Sequence, residues 1–339
     1  MKKVVVVGER LARLVDVPDP RAKGEWAVVK VLSAPMCTEY KAFLKGGLAD
    51  QLGHEAAGEV VEVGQLGRVR VGDRVVVQPL SGCGACPLCQ AGDYIHCERR
   101  PDFAALHGTT DGQATYAQYL LKPDWLLSPI PDDLDFDRAS LACCAIGPSF
   151  GAYQATGVGA FDTVLVAGAG PVGLGAVVNA RFRGAKVVVA EWQRWRAERA
   201  LAMGALCVVD PRDPDAAAQI REAAGGDGVD CSVDCAGAVP AQRLCVDATR
   251  HKGQVAFIGE CTDELPIRVS PDLIRKGLTL VGNWHYNLRD YPRIVRVIRE
   301  SPLIGLLLSH VLPMGEIQAA FELSASPEHA KIVLHPWEV

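Results

Sequence analysis

The fold is decided by Thr163-Val-Leu-Val-Ala167-Gly168-Ala-Gly170-Pro171-Val172-Gly173, an apolar β-branched run followed at once by three spaced glycines. A helical stretch, residues 172–180, comes next, so the glycines lie at a turn between a strand and a helix. In that setting they let backbone N–H groups and the helix N-terminus approach a pyrophosphate. The stretch therefore predicts a dinucleotide-binding turn, whose contact residues are Gly168, Gly170, Pro171, Val172 and Gly173.

Further β-branched runs alternate with helical stretches downstream of this turn, which is the pattern of βαβ units in a parallel sheet. These runs occupy residues 186–190, 207–210, 229–233, 254–258 and 278–281. Together with residues 163–167 they make six strands, enough for a full doubly wound sheet.

Upstream of the turn, the chain has strand-like runs punctuated by Gly and Pro, at residues 26–32, 58–64 and 73–78. Short strands with this spacing predict a compact β barrel or curled sheet. The tail after the last run, about 55 residues, is too short for a domain of its own, and we expect it to return to the first domain. The chain of 339 residues is thus predicted to be an α/β protein with two domains that share a cleft.

The type of nucleotide is indicated by Glu191, which follows the second run of the parallel sheet. A carboxylate at this place accepts the hydroxyls of the adenosine ribose and repels a 2′-phosphate, which favours NAD over NADP. Arg194 and Arg196 lie just beyond, and their positive charge leaves NADP open as the alternative.

Charge and hydropathy narrow the classes of partner. The formal net charge is −5, with acids and bases interspersed, so nucleic acid and anionic membrane surfaces are poor candidates. No apolar stretch of about 18 residues exists to span a bilayer. The apolar run at residues 4–7 is too short for the core of a signal peptide. We therefore expect a cytoplasmic protein, in a reducing compartment, that acts on a small molecule.

Four of the twelve cysteines, Cys83, Cys86, Cys89 and Cys97, lie within one short loop. Four thiolates that close a tetrahedron are what a structural zinc requires, and they leave no open position for chemistry. An iron–sulfur site is the competing interpretation, but the bacterial ferredoxin run has three residues before its fourth Cys and a Pro after it. Here seven residues precede Cys97 and Glu98 follows it. The loop predicts a zinc-held lobe at about residues 81–99.

The segment Gly53-His54-Glu55-Ala-Ala-Gly58 places a His and a Glu before a glycine-flanked strand. This segment, residues 71–75, the four-cysteine loop and the glycine turn occur in the order typical of one enzyme family. Along essentially its whole length the chain resembles the medium-chain zinc-dependent alcohol and polyol dehydrogenases, such as sorbitol and threonine dehydrogenases. The resemblance implies a GroES-like catalytic domain (residues 1–146 and 286–339) and a Rossmann NAD-binding domain (residues 147–285).

The resemblance also assigns a catalytic zinc, which makes two zinc ions per chain. Its ligands would be Cys37, His54 and Cys144, with Cys143 as the alternative third ligand if the alignment slips by one residue. Two thiolates and one imidazole leave an open position, which is typical of a catalytic zinc. Glu55 would lie behind the ligands, or bind the metal when solvent or substrate leaves.

The residues after Cys37 depart from the family pattern, in which Gly or Arg, then Ser or Thr, then Asp follow the first Cys. This chain has Thr38, Glu39 and Tyr40 instead. Either Thr38 is shifted into the role of the proton-relay hydroxyl, or Glu39 takes the alcohol proton as a general base. If Glu39 is the base, we expect its pKa to be raised, because anionic thiolates and a half-dry cleft disfavour the ionised form of a carboxyl group.

The substrate pocket is expected near Trp284, His285 and Tyr286, because the matching stretch of polyol dehydrogenases contributes to the substrate cleft. Interdomain packing is the alternative role for these residues. The pocket interpretation favours a sugar alcohol, sugar or cyclitol over a plain alkyl alcohol.

The resemblance implies a reversible oxidation of a secondary alcohol to a ketone, with hydride transfer to NAD, in a homo-oligomer (dimer or tetramer). Two other functions stay open. One is a metal-free quinone or enoyl reductase on the same scaffold, and the other is a non-catalytic zinc and nucleotide binder. Two zinc ions per chain fit the dehydrogenase, whereas one fits either alternative.

Overall fold

The computed structural model describes residues 1–339, and its strands form three sheets. In chain order the strands are β1 Lys2–Gly8, β2 Leu11–Asp16, β3 Trp26–Pro35, β4 Ala56–Val63, β5 Arg74–Val77, β6 Tyr119–Pro123, β7 Leu127–Pro129, β8 Thr163–Ala167, β9 Lys186–Ala190, β10 Cys207–Val209, β11 Val229–Asp234, β12 Thr249–Phe257, β13 Thr279–Gly282, β14 Leu308–Pro313 and β15 Lys331–His335. The first two strands pair as an antiparallel ribbon, and the others form one seven-stranded and one six-stranded sheet.

The helices are mostly short and separate the strands. They are α1 Tyr40–Lys45, α2 Pro87–Gln90, α3 Phe103–His107, α4 Phe136–Ser140, α5 Gly147–Thr156, α6 Pro171–Phe182, α7 Arg194–Ala202, α8 Ala216–Ala223, α9 Val239–Ala248, α10 Tyr291–Glu300, α11 Ile304–Leu307 and α12 Ile317–Ser324. Turns of 3-10 helix cover Tyr94–His96, Asp124–Leu126, Leu288–Asp290 and Met314–Glu316, and a π-helical turn covers Val269–Ile274. None of the helices has the length and apolar character needed to cross a membrane.

The seven-stranded sheet is organised around β3, which pairs with β4, β6 and β15. Its strand order is β14-β15-β3-β4-β5-β7, with β6 beside β3. Alternate residues of β3, such as Ala27, Val29 and Val31, point into one apolar core, because successive side chains of a strand face opposite sides. The C-terminal tail returns to this sheet through β14 and β15, so the last strand of the chain completes a structure begun by the first ones.

The six-stranded sheet has the order β10-β9-β8-β11-β12-β13, and every pair in it is parallel. This is the order of a doubly wound Rossmann sheet. Its strands are buried on both faces: Val164 and Val166 face one core, whereas Leu165 faces another. All six predicted strands are confirmed, and only one differs from its predicted bounds by more than one residue at an end. The strand predicted at residues 254–258 begins at Thr249, because that residue already pairs with Val229 before the register shifts.

The two sheets are joined through a continuous core. The largest buried cluster contains residues of the first sheet, such as Ala57, and of the second, such as Val166. Helix α6 approaches the segment before α5 so closely that a Cβ on Gly175 would lie 1.7 Å from the carbonyl oxygen of Ala145. Only glycine fits at this contact. The exact domain limits at residues 146/147 and 285/286 stay a prediction.

Candidate active site

The four cysteines of the loop converge on one point. Their Sγ atoms all lie within 4.8 Å of one another. The Cys83–Cys89 and Cys86–Cys97 sulfur pairs are 4.0 and 3.9 Å apart. A zinc tetrahedron with Zn–S bonds of about 2.3 Å has edges of about 3.8 Å, so the sulfur positions fit zinc. Backbone N–H groups of Ala85 and Cys86 lower the pKa of Cys83 to about 6, which favours the thiolate that a metal needs.

A second cluster brings together Cys37, His54, Glu55 and Cys144, whose ligand atoms also lie within 4.8 Å of one another. His54 Nε2 is 3.2 Å from Cys144 Sγ and 3.9 Å from Glu55 Oε1. Sulfur and imidazole ligands of one tetrahedral zinc are about 3.5 Å apart, so this donor set also fits zinc. A hydrogen bond from Cys144, and then the charge of Lys331, keep the pKa of Cys37 well below its usual value although burial opposes this.

The structure separates the two neighbouring cysteines 143 and 144. Cys144 Sγ belongs to the cluster, and its backbone N–H donates to Glu55 Oε2 at 3.0 Å. Cys143 Sγ instead donates to the carbonyl oxygen of Val77 and lies in the large core. Cys144 is therefore the residue in position to act as the third ligand.

Glu39 lies behind His54. Its Oε1 is 2.7 Å from His54 Nδ1, and its Oε2 accepts hydrogen bonds from Tyr116 Oη and the backbone N–H of Cys37, at 2.8 and 3.0 Å. The bond at Nδ1 leaves His54 Nε2 facing the thiols, which is how carboxylates orient metal-binding histidines. The hydroxyl of Thr38 is exposed and has no protein partner.

The expectation that Glu39 has a raised pKa is wrong. Burial does raise it, but the hydrogen bonds and charge of His54, with a further bond from Tyr116, lower the pKa of Glu39 to about 2. The thiolates and the dry surroundings favour a raised pKa, but the two donors, which no local sequence pattern places beside Glu39, outweigh them. These donors make the Glu39 carboxylate a weaker base than a free one.

Glu55 is fully buried and forms an ion pair with Lys331 of β15, with 2.6 Å between Oε1 and Nζ. Burial raises the pKa of Glu55, and the Lys331 ammonium opposes that rise. Glu55 thus connects the backbone of Cys144 with the last strand of the chain, while its Oε1 remains within reach of His54.

The glycine turn has the backbone conformation that a pyrophosphate site needs. Gly168 has a φ of 92°, and a Cβ on Gly173 would lie 1.8 Å from the carbonyl oxygen of Gly168. Helix α6 begins directly after Gly170, with Pro171 in its first turn, so its free N–H groups point out of the turn. Arg196 is nearby: one of its terminal nitrogens would lie 3.9 Å from a Cβ on Gly170.

Glu191 is buried at the end of β9 and turns toward backbone donors. Its Oε2 accepts from the N–H of Ala169, and its Oε1 accepts from the N–H groups of Trp192 and Gln193. These bonds fix the carboxylate beside the glycine turn. A carboxylate has about four acceptor positions, so it can still accept from a ribose hydroxyl.

Comparison with known proteins begins with two family models. Residues 23–132 match the alcohol dehydrogenase GroES-like domain, and residues 171–300 match the zinc-binding dehydrogenase domain. The sorbitol dehydrogenase of Bacillus subtilis is 30% identical, over 99% of this chain and 97% of its own length. The L-threonine 3-dehydrogenase of Symbiobacterium thermophilum is also 30% identical, over 96% and 94%.

The chain belongs to the medium-chain zinc-dependent alcohol and polyol dehydrogenases. Among solved structures, the alcohol dehydrogenase TADH from Thermus sp. ATN1 superimposes with a TM-score of 0.88 at 26% identity, and the match covers 99% of both chains. The combination of a GroES-like domain with a Rossmann domain is thereby confirmed.

In this dehydrogenase, the three predicted pocket residues have different surroundings. His285 lies against the metal-ligand cluster, with Nε2 3.9 Å from Cys144 Sγ, and it has a left-handed φ of 77°. Its Nδ1 is buried without a partner. Tyr286 is buried and donates to Gln78 at 2.6 Å, and Trp284 is partly exposed, with the Arg100 guanidinium 5.2 Å from its ring. Only His285 therefore approaches the proposed catalytic zinc.

Sequence reasoning missed three residues of the site in this dehydrogenase: Tyr116, Lys122 and Lys331. Tyr116 supports Glu39, and Lys331 neutralises Glu55. Lys122 lines a cavity of about 410 Å³ whose wall also contains His54 and Glu39. None of the three belongs to a motif. The one available signal was the position of Lys122 and Lys331 among apolar residues of short strands, where a charge is unusual.

Proposed function

We propose that this dehydrogenase oxidises a secondary alcohol of a polyol, sugar or cyclitol to a ketone, reversibly, with NAD as the hydride acceptor. The observation that carries the proposal is the convergence of Cys37, His54 and Cys144 on one point beside a cavity. The cavity volume, about 410 Å³, suits a small substrate. The similarity to a sorbitol dehydrogenase supports the polyhydroxylated class.

Two zinc ions per chain are part of the proposal. The four thiolates of the loop close one site completely, so its role is to hold the lobe at residues 81–99. Cys37, His54 and Cys144 would hold the other ion and leave it a free position. A zinc ion there supplies Lewis acidity, which lowers the pKa of a substrate hydroxyl.

The chain's own residues orient this site and move the proton. Glu39 accepts from His54 Nδ1 and fixes the imidazole, and Glu55 holds the backbone of Cys144. Thr38 has an exposed hydroxyl next to Cys37 and receives the substrate proton for transfer to solvent. We favour Thr38 over Glu39 for this step because both oxygens of the Glu39 carboxylate are already engaged, in three hydrogen bonds.

NAD binding is proposed at the glycine turn, where the N–H groups of the turn and of α6 would bind the pyrophosphate. Glu191 would accept from the adenosine ribose and disfavour the 2′-phosphate of NADP. Arg194 is paired with Glu198 at 2.7 Å, which weakens the case for a 2′-phosphate site formed by this arginine.

The test measures NADH formation by the zinc-loaded protein on a panel of sugar alcohols, cyclitols and simple secondary alcohols, with NADP in parallel, and counts zinc by mass spectrometry. We expect two zinc ions and turnover of a polyhydroxylated compound with NAD. Cys144→Ala should retain one zinc ion and lose activity. Cys143→Ala removes the neighbouring thiol from the core and is the matched control. It should keep both zinc ions and the activity.

A single zinc ion in the wild type, with no turnover on any alcohol, would exclude the proposal. It would favour a metal-free reductase or a non-catalytic binder. Assembly as a cytoplasmic dimer or tetramer stays a prediction, which light scattering and fractionation would check.

A further inference from the structure

The cavity beside the metal-ligand cluster contains a group that the proposed reaction does not use. Its wall includes His54 and Glu39 at one place, and Leu80, Thr115 and Lys122 at others. A substrate whose alcohol reaches the cluster would therefore extend the rest of its carbon chain along this wall.

Lys122 is more than nine-tenths buried in β6, where its backbone pairs with Ala27. Its ammonium donates to the carbonyl oxygen of Leu80, and no carboxylate lies within ion-pairing distance. Taking an ammonium ion out of water costs several kcal/mol unless an opposite charge compensates it. A buried lysine without an anion in the wall of a cavity is thus a charge whose partner would come from a ligand.

Other groups in the same wall also lack partners. Both polar atoms of the Gln51 side chain and the hydroxyl of Thr115 are buried without a hydrogen bond. Buried polar side-chain atoms are nearly always bonded, so unpaired ones need an explanation. Leu80 has a left-handed φ of 56°, an uncommon conformation for a leucine, and its carbonyl holds Lys122. The wall is arranged to receive polar ligand atoms.

We propose that this cavity binds an anionic end of the substrate, a carboxylate or a phosphate, with Lys122 as its counter-charge and Gln51 and Thr115 as hydrogen-bond partners. Within the polyhydroxylated substrates, the preferred class is then a sugar acid or a sugar phosphate, ahead of the neutral polyol of the same skeleton. This inference rests on the proposed dehydrogenase function and specifies its substrate.

The other charged groups of the wall agree with this assignment. Arg100 is exposed and adds positive charge. Glu39 is the only carboxylate of the wall, and its oxygens are already bonded to His54, Tyr116 and Cys37. Burial lowers the pKa of Lys122 to about 7, and a bound anion would raise it again and keep the lysine protonated.

The test compares three compounds with one carbon skeleton: glucitol, gluconate and glucitol phosphate, together with the corresponding galactose-derived series. For the zinc-loaded wild type we expect kcat/KM at least tenfold higher for one anionic member than for the neutral polyol. Lys122→Gln should reduce that ratio at least tenfold. Lys30→Gln, on the neighbouring strand with its ammonium over the Trp337 ring, removes the same charge outside the cavity and should keep the ratio. The kcat/KM values of gluconate and glucitol phosphate show whether the cavity recognises a carboxylate or a phosphate.

Thr115→Val, which keeps the shape of the side chain and removes only the unpaired hydroxyl, is the second variant and should also lower the ratio. Calorimetric binding of the three compounds gives a readout that does not need turnover. Lys122-dependent binding of an anion by a protein that holds one zinc ion and turns over no alcohol would support the anion site while the proposed dehydrogenase function fails. Equal kcat/KM for neutral and anionic members, or a ratio unchanged in Lys122→Gln, would overturn the anion site and leave the dehydrogenase intact.

Discussion

The proposed ligands of the catalytic metal are each held from behind by a second residue. His54 is bonded to Glu39, and Glu39 in turn accepts from Tyr116. Cys144 is bonded through its backbone to Glu55. Such partners fix the orientation of a ligand before the metal arrives, and their loss commonly weakens metal binding. We therefore propose that Glu39 positions His54.

Glu39→Gln should weaken zinc binding at this site about 10- to 100-fold, because the imidazole loses the anion that fixes its tautomer. Competition with a chelator would measure this. Glu59→Gln, on β4 and without a side-chain hydrogen bond, is the control and should bind zinc like the wild type.

Thr38→Val should have the opposite pattern of effects to Glu39→Gln: it should change turnover and not zinc binding. Zinc binding stays normal, and kcat falls about 100-fold or more because the proton relay is lost. If Glu39→Gln kept its zinc affinity and lost only kcat, with a changed pH profile, Glu39 would be the base.

The sequence predicts residues that are marked by the spacing of a motif or by a position in a family pattern. It misses residues that act through contacts formed only in the folded chain. Cys37, His54 and Cys144 were assigned through the resemblance to the dehydrogenase family, in which they fall at ligand positions, and the structure brings them together. Lys331 was not, because its partner Glu55 is 276 residues away. The position of the Glu39 carboxylate relative to His54 depends on the start of α1, which no local pattern specifies.

At the scale of elements, we expect the lobe at residues 81–99 to depend on its proposed zinc ion more than on its own packing. Between Gly82 and Cys97 it has only the four-residue helix α2 and a single 3-10 turn. Its small buried cluster consists largely of the cysteines themselves, with Tyr94, Ile95 and Leu126. Short helices are unstable alone, so a zinc ion bound by the four cysteines would supply most of the folding energy of this element.

Cys89→Ser should therefore leave about one zinc ion per chain and open the lobe. We expect a lower melting temperature and new proteolytic cleavage between residues 81 and 99. Cys261→Ser, which changes a cysteine outside both clusters, should alter neither zinc content nor cleavage. Intact resistance to protease in Cys89→Ser would show that the lobe folds without metal.

The parallel sheet is the element that the sequence predicts best, since strands buried on both faces read as continuous apolar runs. The antiparallel ribbon of β1 and β2 was not predicted. Its Val4 and Val6 are buried by the first sheet's core, a contact that the local sequence does not reveal.

At the scale of the whole molecule, Lys122 is expected to cost stability. Its folded-state pKa is about 7, whereas an unfolded lysine titrates near about 10.4. Between these values the unfolded chain holds a proton that the folded chain lacks, so the free energy of unfolding rises with pH across this window. A binding residue that destabilises the free protein is a common compromise between function and stability.

Lys122→Met should therefore raise the free energy of unfolding at pH 7, by up to about 4 kcal/mol. The gain should shrink toward pH 10, where the folded and unfolded lysine no longer differ. Denaturant titrations across this pH range would measure it, with Lys30→Met as the control. A loss of stability at pH 7, or a difference independent of pH, would contradict a buried cationic Lys122.

The pairing of β15 with β3 has a consequence for how the protein is made. On the ribosome, Glu55 leaves the exit tunnel long before Lys331, and the whole Rossmann sheet is synthesised between them. Until β15 emerges, the nascent first domain has a buried carboxylate with no counter-ion and an unpaired edge on β3. The domain that is synthesised first is thus the last to be completed. A chain stopped before Lys331 would contain every proposed zinc ligand, but it would lack β15, whose Lys331 pairs with Glu55 behind those ligands.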